Sequence, residues 1–216
     1  MKKDVIVCIG TVGRPTFKKC YQHVMDLKKR DPRIRKVVVI RDQPSQAAWL
    51  NKMRGACKGY TWCLQVDEDM YVKSSSLNSL LSLSFEREAE GLRILNASGL
   101  LFDIFLKQNV GSLKLWRSSV IQKFEFEDTL GSDRNMFDKA SRFGYKNVST
   151  DEILGLHDSA PTIEIGRDKY YEYIKKMIKF NGKGAAENFI ISMENKKLNK
   201  YIVKEAWKAY YENINS

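Results

Sequence analysis

An alternation of apolar runs with amphipathic stretches in the N-terminal third constrains the fold of this chain more than any other feature. The apolar runs Val5–Ile9, Val37–Ile40 and Thr61–Val66 have the length of buried strands. The stretches between them repeat apolar residues at the three-and-four spacing of a helix with one buried face. Strands that alternate with helices form a parallel sheet with both faces covered. The sequence therefore predicts an α/β fold.

Local signals support the two predicted helices. Pro15 stands where proline is favoured, in the first turn of the first helix. Ser45 can cap the second helix, and Gly59 follows its end. His23 lies within the first helix, and we interpret it as a structural residue.

Each predicted strand leads into a loop with chemically useful side chains. The first leads into Gly10–Arg14, the second into Asp42, and the third into Asp67-Glu68-Asp69. Parallel sheets bind ligands at the carboxyl ends of their strands. We therefore expect these three loops to form a single site.

The rest of the chain is less regular, and its pattern predicts two parts. The predicted helices cover 74–90 and 131–143, and the predicted strands cover 92–101 and 112–116. From residue 167 the pattern is helical to the end, with an interruption at 181–184. We predict an α/β domain over 1–165 and a helical C-terminal extension over 166–216, packed on or beside it.

A positive net charge points to an anionic partner. The 37 Lys and Arg against 26 Asp and Glu leave +11, which favours nucleotides, nucleic acid or anionic lipid. Residues 167–216 contain 11 Lys and Arg against 6 Asp and Glu, an excess of +5. Peripheral contact with a membrane or with nucleic acid through this basic region therefore stays open, as does self-association. The alternative is that these lysines only keep helix faces soluble.

The sequence also predicts a compartment. The N-terminal apolar run is shorter than a signal peptide core or a membrane span. The four cysteines show neither paired metal-type spacing nor a dense disulfide framework. We expect a reduced, cytoplasmic protein, with peripheral membrane attachment open.

The cluster Asp67-Glu68-Asp69 has two interpretations. It is either a solvated turn, or its two aspartates turn toward one cation, for which their oxygen ligands suit Mg²⁺ or Mn²⁺. An EF-hand is excluded because no spaced twelve-residue ligand loop follows. The loop Gly10–Arg14 lacks both the Gly-Lys-Ser/Thr ending of a P-loop and the dinucleotide-binding glycine pattern.

The order of several motifs resembles that of GT-A glycosyltransferases, particularly the inverting family 2. Motifs of the N-terminal half carry the first part of this resemblance: Gly10-Thr11, Arg14, Asp42, Ala48 with Asn51, Gly59-Tyr60 and Val66–Asp69. Further motifs continue it: Gly111–Lys123, Phe126–Asp128, Gly131–Asp133 and Phe143–Tyr145. The resemblance covers roughly residues 4–160, and the order of individually weak motifs is its evidence.

The resemblance implies a GT-A fold and a set of site residues. Six residues would bind a nucleotide-sugar donor: Thr11, Arg14, Asp42, Asn51, Asp67 and Arg117. Asp42 would contact the uracil or ribose end. Three would surround a Mn²⁺ or Mg²⁺ ion: Asp67, Asp69 and His157. We expect His157 in a loop after the last core strand, and the alternative is a surface histidine without a role.

Asp133 matches the second acidic residue of the family's Glu-Asp pair, whose carboxylate activates the acceptor hydroxyl. Ser132 stands where the family usually has glutamate, so which carboxylate acts as the base stays open. Asp133 is alternatively a cap of the following helix.

These inferences predict a metal-dependent glycosyltransferase that moves a sugar from a nucleotide diphosphate donor, with UDP-sugars favoured, to a hydroxyl acceptor with inversion. The acceptor is left open among glycans, lipid-linked sugars, proteins and nucleic acids. Two alternatives remain. One is a sugar nucleotidyltransferase, and the other is a non-catalytic basic protein that binds nucleic acid.

Overall fold

The computed structural model describes residues 4–129 and 131–214. Its N-terminal third contains the predicted alternation of strands and helices: β1 (Val5–Thr11), α1 (Phe17–Arg30), β2 (Ile34–Arg41), α2 (Gln46–Ala56) and β3 (Trp62–Asp67). Ser45 caps α2 by accepting a hydrogen bond from the amide of Ala48 at 3.2 Å, as predicted. His23 has the predicted structural place, since its ring stacks on Tyr71 with centroids 5.5 Å apart.

The remaining elements include two strands that the sequence did not predict, β4 and β7. In chain order they are β4 (Met70–Val72), α3 (Ser76–Ala89), β5 (Arg93–Asp103), β6 (Gln108–Arg117), α4 (Ser118–Ile121), α5 (Ser132–Ser141), β7 (Tyr145–His157), α6 (Ile163–Asn181), α7 (Lys183–Asn195) and α8 (Lys200–Asn213). β4 has three residues, and few of the side chains of β7 are buried. Neither strand therefore shows the apolar pattern on which the prediction depended.

The strands of the described chain form one sheet in the order β2-β1-β3-β6-β5-β7-β4. β1 pairs in parallel with both β2 and β3, whereas β6 is antiparallel to β3 and β7 is antiparallel to β4. The α/β class is confirmed, and the sheet is mixed in its C-terminal part. Because β1 lies between β2 and β3, the carboxyl ends of these three strands meet at one edge.

Period-two alternation along the strands divides the core between the two faces of the sheet. On one face, Val5, Val7 and Ile9 pack with buried residues of α1 and α3. On the other face, Ile6 and Cys8 pack with buried residues of α2 and α5. Each buried aliphatic side chain stabilises the fold by about 1.5–3 kcal/mol relative to an exposed one. All seven residues of β1 are buried, as a central strand requires.

The chain divides into two compact units. The first contains the N-terminal part through Phe102 together with Asn109–His157. The second contains Asp103–Gln108 and the chain from Asp158 onward, and it is built on α6, α7 and α8. Its helices approach closely, since a side chain at Gly166 of α6 would meet Ile202 of α8 at 2.3 Å. The second unit thus contains a segment, Asp103–Gln108, that the sequence analysis did not separate from the first.

All four cysteines are free and buried. No described helix is long and apolar enough to cross a membrane.

Candidate functional site

Backbone hydrogen bonds bring the three predicted loops together at the carboxyl edge of the sheet. The amide of Asp42 donates to the carbonyl of Thr11 at 3.0 Å, and that of Glu68 donates to the carbonyl of Gly10 at 3.0 Å. Helix α2 also packs closely on the end of β1, because a side chain at Gly10 would meet the ring of Trp49 at 2.9 Å. The expectation of a single strand-end site is therefore met in the arrangement of the backbone.

Glu68 holds the loop after β1 in place, a role that the sequence analysis missed. Its carboxylate is 4% exposed and accepts hydrogen bonds from the hydroxyl of Thr11, from the amide of Val12 at 3.3 Å and from the amide of Arg14 at 2.9 Å. The hydroxyl of Thr11 in turn accepts from the amide of Gly13 at 2.9 Å. Glu68 also approaches the side chain of Arg14, with a carboxylate oxygen 3.7 Å from Nε. No local pattern predicts this role, because Glu68 and Asp69 lie in the turn between β3 and β4, where the alternation of side chains along a strand does not apply.

Asp69 lies between a histidine and an arginine. One of its carboxylate oxygens is 3.4 Å from Nε2 of His157, and the other is 3.6 Å from the guanidinium of Arg14. Asp69 is 5% exposed. The antiparallel pairing of Met70 with His157 brings the imidazole to the acidic turn. His157 is thus the last residue of β7 and not a loop residue, which corrects the sequence-based placement.

Asp67 ends β3 and is half-buried. Its carbonyl accepts a hydrogen bond from the thiol of Cys20 at 3.4 Å. The pKa of that thiol is raised to about 12, first by burial and then by the negative charges of Asp67, Asp69 and Glu68. The cluster therefore creates a negative potential that favours a cation and keeps the nearby thiol protonated.

The side chains present fit a divalent ion that is shared with a ligand. Within residues 4–129 and 131–214, no three His, Cys, Asp or Glu side chains are grouped to hold a metal by themselves. Asp69 and His157 nevertheless converge to 3.4 Å, the spacing of two neighbouring ligands around one ion. Mg²⁺-type sites commonly take one or two carboxylates and complete their shell with phosphate oxygens and water. An oxygen and an imidazole nitrogen also suit Mn²⁺.

Asp133 forms a partly buried ion pair with a lysine. One oxygen of its carboxylate is 2.8 Å from the ammonium of Lys114, and the other accepts from the amide of Arg134 at 2.9 Å. Burial raises the pKa of Asp133, but the charge and hydrogen bond of Lys114 and the backbone hydrogen bonds to the carboxylate together outweigh it, so that the pKa is lowered from its ordinary value. Asp133 lies in the first turn of α5, whose N-cap is Gly131, and so it is not the capping residue.

Lys114 is the second functional residue that the sequence analysis missed. It is 9% exposed and pairs in register with Gln65, two residues before Asp67 in β3. Side chains two residues apart on a strand share a face, which brings the ion pair to the face of Asp67. The sequence did contain a signal for this residue, namely a lysine within the otherwise apolar run Leu113–Trp116. A lysine that is buried with such a strand requires a partner of opposite charge.

Two of the predicted donor-binding residues, Asn51 and Arg117, form their contacts in other parts of the first unit. The side-chain amide of Asn51 exchanges two hydrogen bonds with the backbone of Phe126, at 2.8 and 3.1 Å. Arg117 pairs in register with Trp62 at the start of β3, roughly 16 Å along the strand from Asp67. It stacks on Trp62 and lies 3.5 Å from Glu88. The cause is strand direction, since the antiparallel β6 ends at the amino edge of β3.

Asp42 lies at the carboxyl edge with an exposed side chain. Its φ of 51° is in the left-handed region, which asparagine and aspartate tolerate better than most residues. The site at this edge therefore contains Thr11, Arg14, Asp42, Asp67, Glu68, Asp69 and His157, with Lys114 and Asp133 on the face of Asp67.

Solved structures share this architecture at low sequence identity. TarS residues 1–349 from S. aureus are 12% identical, with 98% of this chain and 89% of that chain covered and a TM-score of 0.51. Glucosyl-3-phosphoglycerate synthase from Mycobacterium tuberculosis, in complex with Mn²⁺, UDP-glucose and phosphoglyceric acid, is 10% identical over 82% of this chain and 79% of that chain, with a TM-score of 0.55. The mannosyltransferase PcManGT from Pyrobaculum calidifontis, in complex with GDP-Man and Mn²⁺, is 10% identical over 95% and 73%, with a TM-score of 0.54.

No protein-family model and no curated protein sequence matches the chain. The structural matches confirm the GT-A fold that the sequence resemblance implied. At this identity they establish the fold alone.

Proposed function

We propose that this chain is a metal-dependent glycosyltransferase that moves a sugar from a nucleotide diphosphate donor, with UDP-sugars favoured, to a hydroxyl acceptor with inversion. The observation that carries the proposal is the convergence of Asp69 and His157 to 3.4 Å at the carboxyl edge of the sheet. This edge is where open α/β sheets bind nucleotides.

The donor half of the proposal depends on residues around the acidic turn. Asp69 and His157 would hold the ion, together with Asp67, which ends β3 and is the third metal residue that the resemblance implies. A divalent ion supplies Lewis-acid stabilisation of the negative charge on the departing diphosphate. The guanidinium of Arg14 lies 3.6 Å from Asp69 and 3.7 Å from Glu68, and its backbone amide donates a hydrogen bond to Glu68. The guanidinium is thereby held beside the proposed ion, where it can bind a phosphate oxygen of the same ligand.

The acceptor half depends on Asp133. A hydroxyl that attacks the anomeric carbon must lose its proton, and a carboxylate within hydrogen-bonding reach can accept it. Lys114 lowers the pKa of Asp133, so the carboxylate is ionised and carries no proton of its own when the hydroxyl binds. Direct attack from the face opposite the diphosphate inverts the anomeric centre.

Two of the structural matches were solved with a sugar nucleotide and Mn²⁺, one with UDP-glucose and the other with GDP-Man. These ligands are consistent with the donor class and the metal that the proposal assigns here.

The donor claim is tested by thermal unfolding with UDP and Mn²⁺. At a ligand concentration a hundredfold above Kd, we expect Tm to rise by about 5–10 °C, and a chelator should remove most of the rise. Asp69→Asn should abolish the metal-dependent part, whereas Asp26→Asn on the exposed face of α1 should keep it. If no nucleoside diphosphate raises Tm in the presence of the metal, the donor site is refuted.

The reaction class is tested by the product released from nucleotide-sugars. A glycosyltransferase releases a nucleoside diphosphate, either by transfer or by slow hydrolysis of the donor. Formation of pyrophosphate from a nucleoside triphosphate and a sugar phosphate would instead support the nucleotidyltransferase alternative.

A further inference from the structure

The outward side of α8, in the second unit, carries an unusual set of side chains. Lysines and aromatic residues alternate along it at helical spacing: Lys200, Tyr201, Lys204, Trp207, Lys208 and Tyr211. We call these six residues the lysine-aromatic face. Tyr201 is 53% exposed and Tyr211 is 63% exposed, so large aromatic rings lie in solvent.

The carboxylates of α8 are engaged by neighbouring side chains. Glu205 binds Arg167 of α6 at 2.7 Å, and Glu212 accepts from the hydroxyl of Tyr171 at 2.6 Å. Lys208 lies 3.0 Å from Glu205, so its charge is partly compensated. In the described part of the chain, no carboxylate forms an ion pair with Lys200 or Lys204. The positive charge of the face is therefore concentrated at these two lysines.

A groove of about 440 Å³ lies beside the face, between α7 and α8. Its lining combines a buried apolar floor, Leu198 and Val203, with two lysines, Lys200 and Lys204, and one carboxylate, that of Glu194. The ring of Trp207 also lines the groove, and its indole donates to Glu194 at 2.8 Å. Two lysines against one carboxylate, above an apolar floor, leave a net positive charge that matches an amphiphilic anion.

We propose that the lysine-aromatic face and its groove dock this protein on an anionic phospholipid surface. Lysines bind the lipid phosphates, and the Trp and Tyr rings enter the headgroup layer, where such rings are favoured. The face extends over about 11 residues of helix, roughly 16 Å, which suits a helix lying in the plane of the interface. This inference does not depend on the proposed transferase activity.

The geometry favours lipid over nucleic acid. Binding of single-stranded nucleic acid uses aromatic rings whose faces are free to stack on bases. Trp207 and Tyr211 already stack on each other, with centroids 5.6 Å apart and planes 19° apart, so each ring offers one face at most. The aliphatic floor of the groove likewise offers nothing to a base edge, whereas it can receive part of an acyl chain.

The first test is sedimentation of the full-length protein with phosphatidylcholine vesicles that contain or lack phosphatidylglycerol. We expect binding only to the anionic vesicles. Lys200→Gln with Lys204→Gln should weaken it about fivefold per lysine removed. The matched control is Lys176→Gln with Lys179→Gln on α6, which removes the same charge from another exposed surface and should leave binding unchanged. Equal losses in the two variants would show that only net charge matters and would overturn the assignment.

The second test follows Trp207 directly. Anionic vesicles should shift the tryptophan emission to shorter wavelength as the indole enters the headgroup layer, and Trp207→Phe should abolish that shift. Tyr211→Ser, a change at an exposed site, should weaken vesicle binding without lowering Tm. Vesicles that leave the emission of the wild-type protein unchanged would contradict the docking geometry.

Nucleic acid supplies the decisive comparison. A single-stranded oligonucleotide should bind the wild-type protein and the Lys200 and Lys204 double variant equally. If the double variant loses oligonucleotide binding and keeps vesicle binding, the face is a nucleic-acid surface and the membrane proposal fails.

Discussion

Three consecutive acidic residues at the end of β3 have different environments. Asp67 ends the strand, Asp69 lies between His157 and Arg14, and the buried Glu68 accepts hydrogen bonds from the loop after β1. The motif itself was visible in the sequence, and so was its place after a buried strand. The separate roles of the three acidic residues were not visible in the sequence. They depend on the direction of each side chain and on contacts with a loop more than fifty residues away.

Changing Glu68 tests its role as the anchor of that loop. Glu68→Gln replaces a carboxylate oxygen with an amide that cannot accept the same hydrogen bonds. We expect a loss of about 1–3 kcal/mol in the free energy of unfolding, measured with denaturant, together with weaker UDP binding. Glu86→Gln on the exposed face of α3 is the control. Unchanged stability and affinity in Glu68→Gln would show that the loop is held by other contacts.

The ion pair between Lys114 and Asp133 predicts a pH dependence. Because Lys114 lowers the pKa of Asp133, Asp133 loses its proton at lower pH than an ordinary carboxyl, and transfer should stay active well into the acid range. Lys114→Met removes the main charge that opposes the effect of burial, which raises the pKa of Asp133 and moves the acid limb of the kcat/KM profile to higher pH. The control is Lys139→Met, which removes a lysine of α5 that pairs with Glu127. This change should leave the acid limb of the profile where it is.

Replacing Asp133 itself tests whether it acts as the base. Asp133→Asn should lose transfer, measured by product formation, and should keep UDP binding, measured by calorimetry. Unimpaired turnover would remove Asp133 from the role of base.

At the scale of elements, strand direction decided which predicted residues reach the site. Apolar runs predicted the parallel strands β1, β2 and β3, and with them the edge where the loops meet. They could not predict that β6 is antiparallel to β3, which carries Arg117 to the far edge. Nor could they predict the pairing of β4 with β7, which brings His157 to Asp69, because short or polar strands lack a period-two apolar pattern.

The contrast between Arg14 and Arg117 tests this account of the sheet. Arg14→Met should weaken UDP binding by about tenfold or more, the usual cost of losing a hydrogen bond to a charged group. Arg117→Met should lower the free energy of unfolding, since it removes the contacts with Trp62 and Glu88, and should leave UDP affinity unchanged. Calorimetric titration of both variants with UDP measures the two affinities. A large loss of affinity in Arg117→Met would contradict the observed strand register.

At the scale of the whole molecule, helical periodicity predicted the α-helical character of the C-terminal region. It could not reveal that Asp103–Gln108, far away in the sequence, belongs to the same compact unit. Within that unit, Phe105 packs on Tyr170 with ring centroids 5.2 Å apart, and Leu106 is buried. These contacts connect distant parts of the chain, and no local pattern encodes them.

We propose that residues 166–216 form an extension whose removal spares the donor site. Deleting residues 167–216 should expose Phe105 and Leu106 and cause aggregation, detected by size-exclusion chromatography. Adding Phe105→Ser and Leu106→Ser should restore a soluble chain that still binds UDP with Mn²⁺. If this polar variant remains insoluble, the helices contribute to the core on which the donor site depends.

The central claim is that Asp69 and His157 hold a divalent ion at the nucleotide site. The most direct measurement is a crystal structure of the protein with Mn²⁺ and UDP, in which anomalous scattering locates the metal. We predict one manganese peak bonded to the carboxylate of Asp69, to Nε2 of His157 and to diphosphate oxygens. A manganese ion and a diphosphate bound elsewhere, with Asp69 still engaged only by Arg14 and His157, would contradict the account.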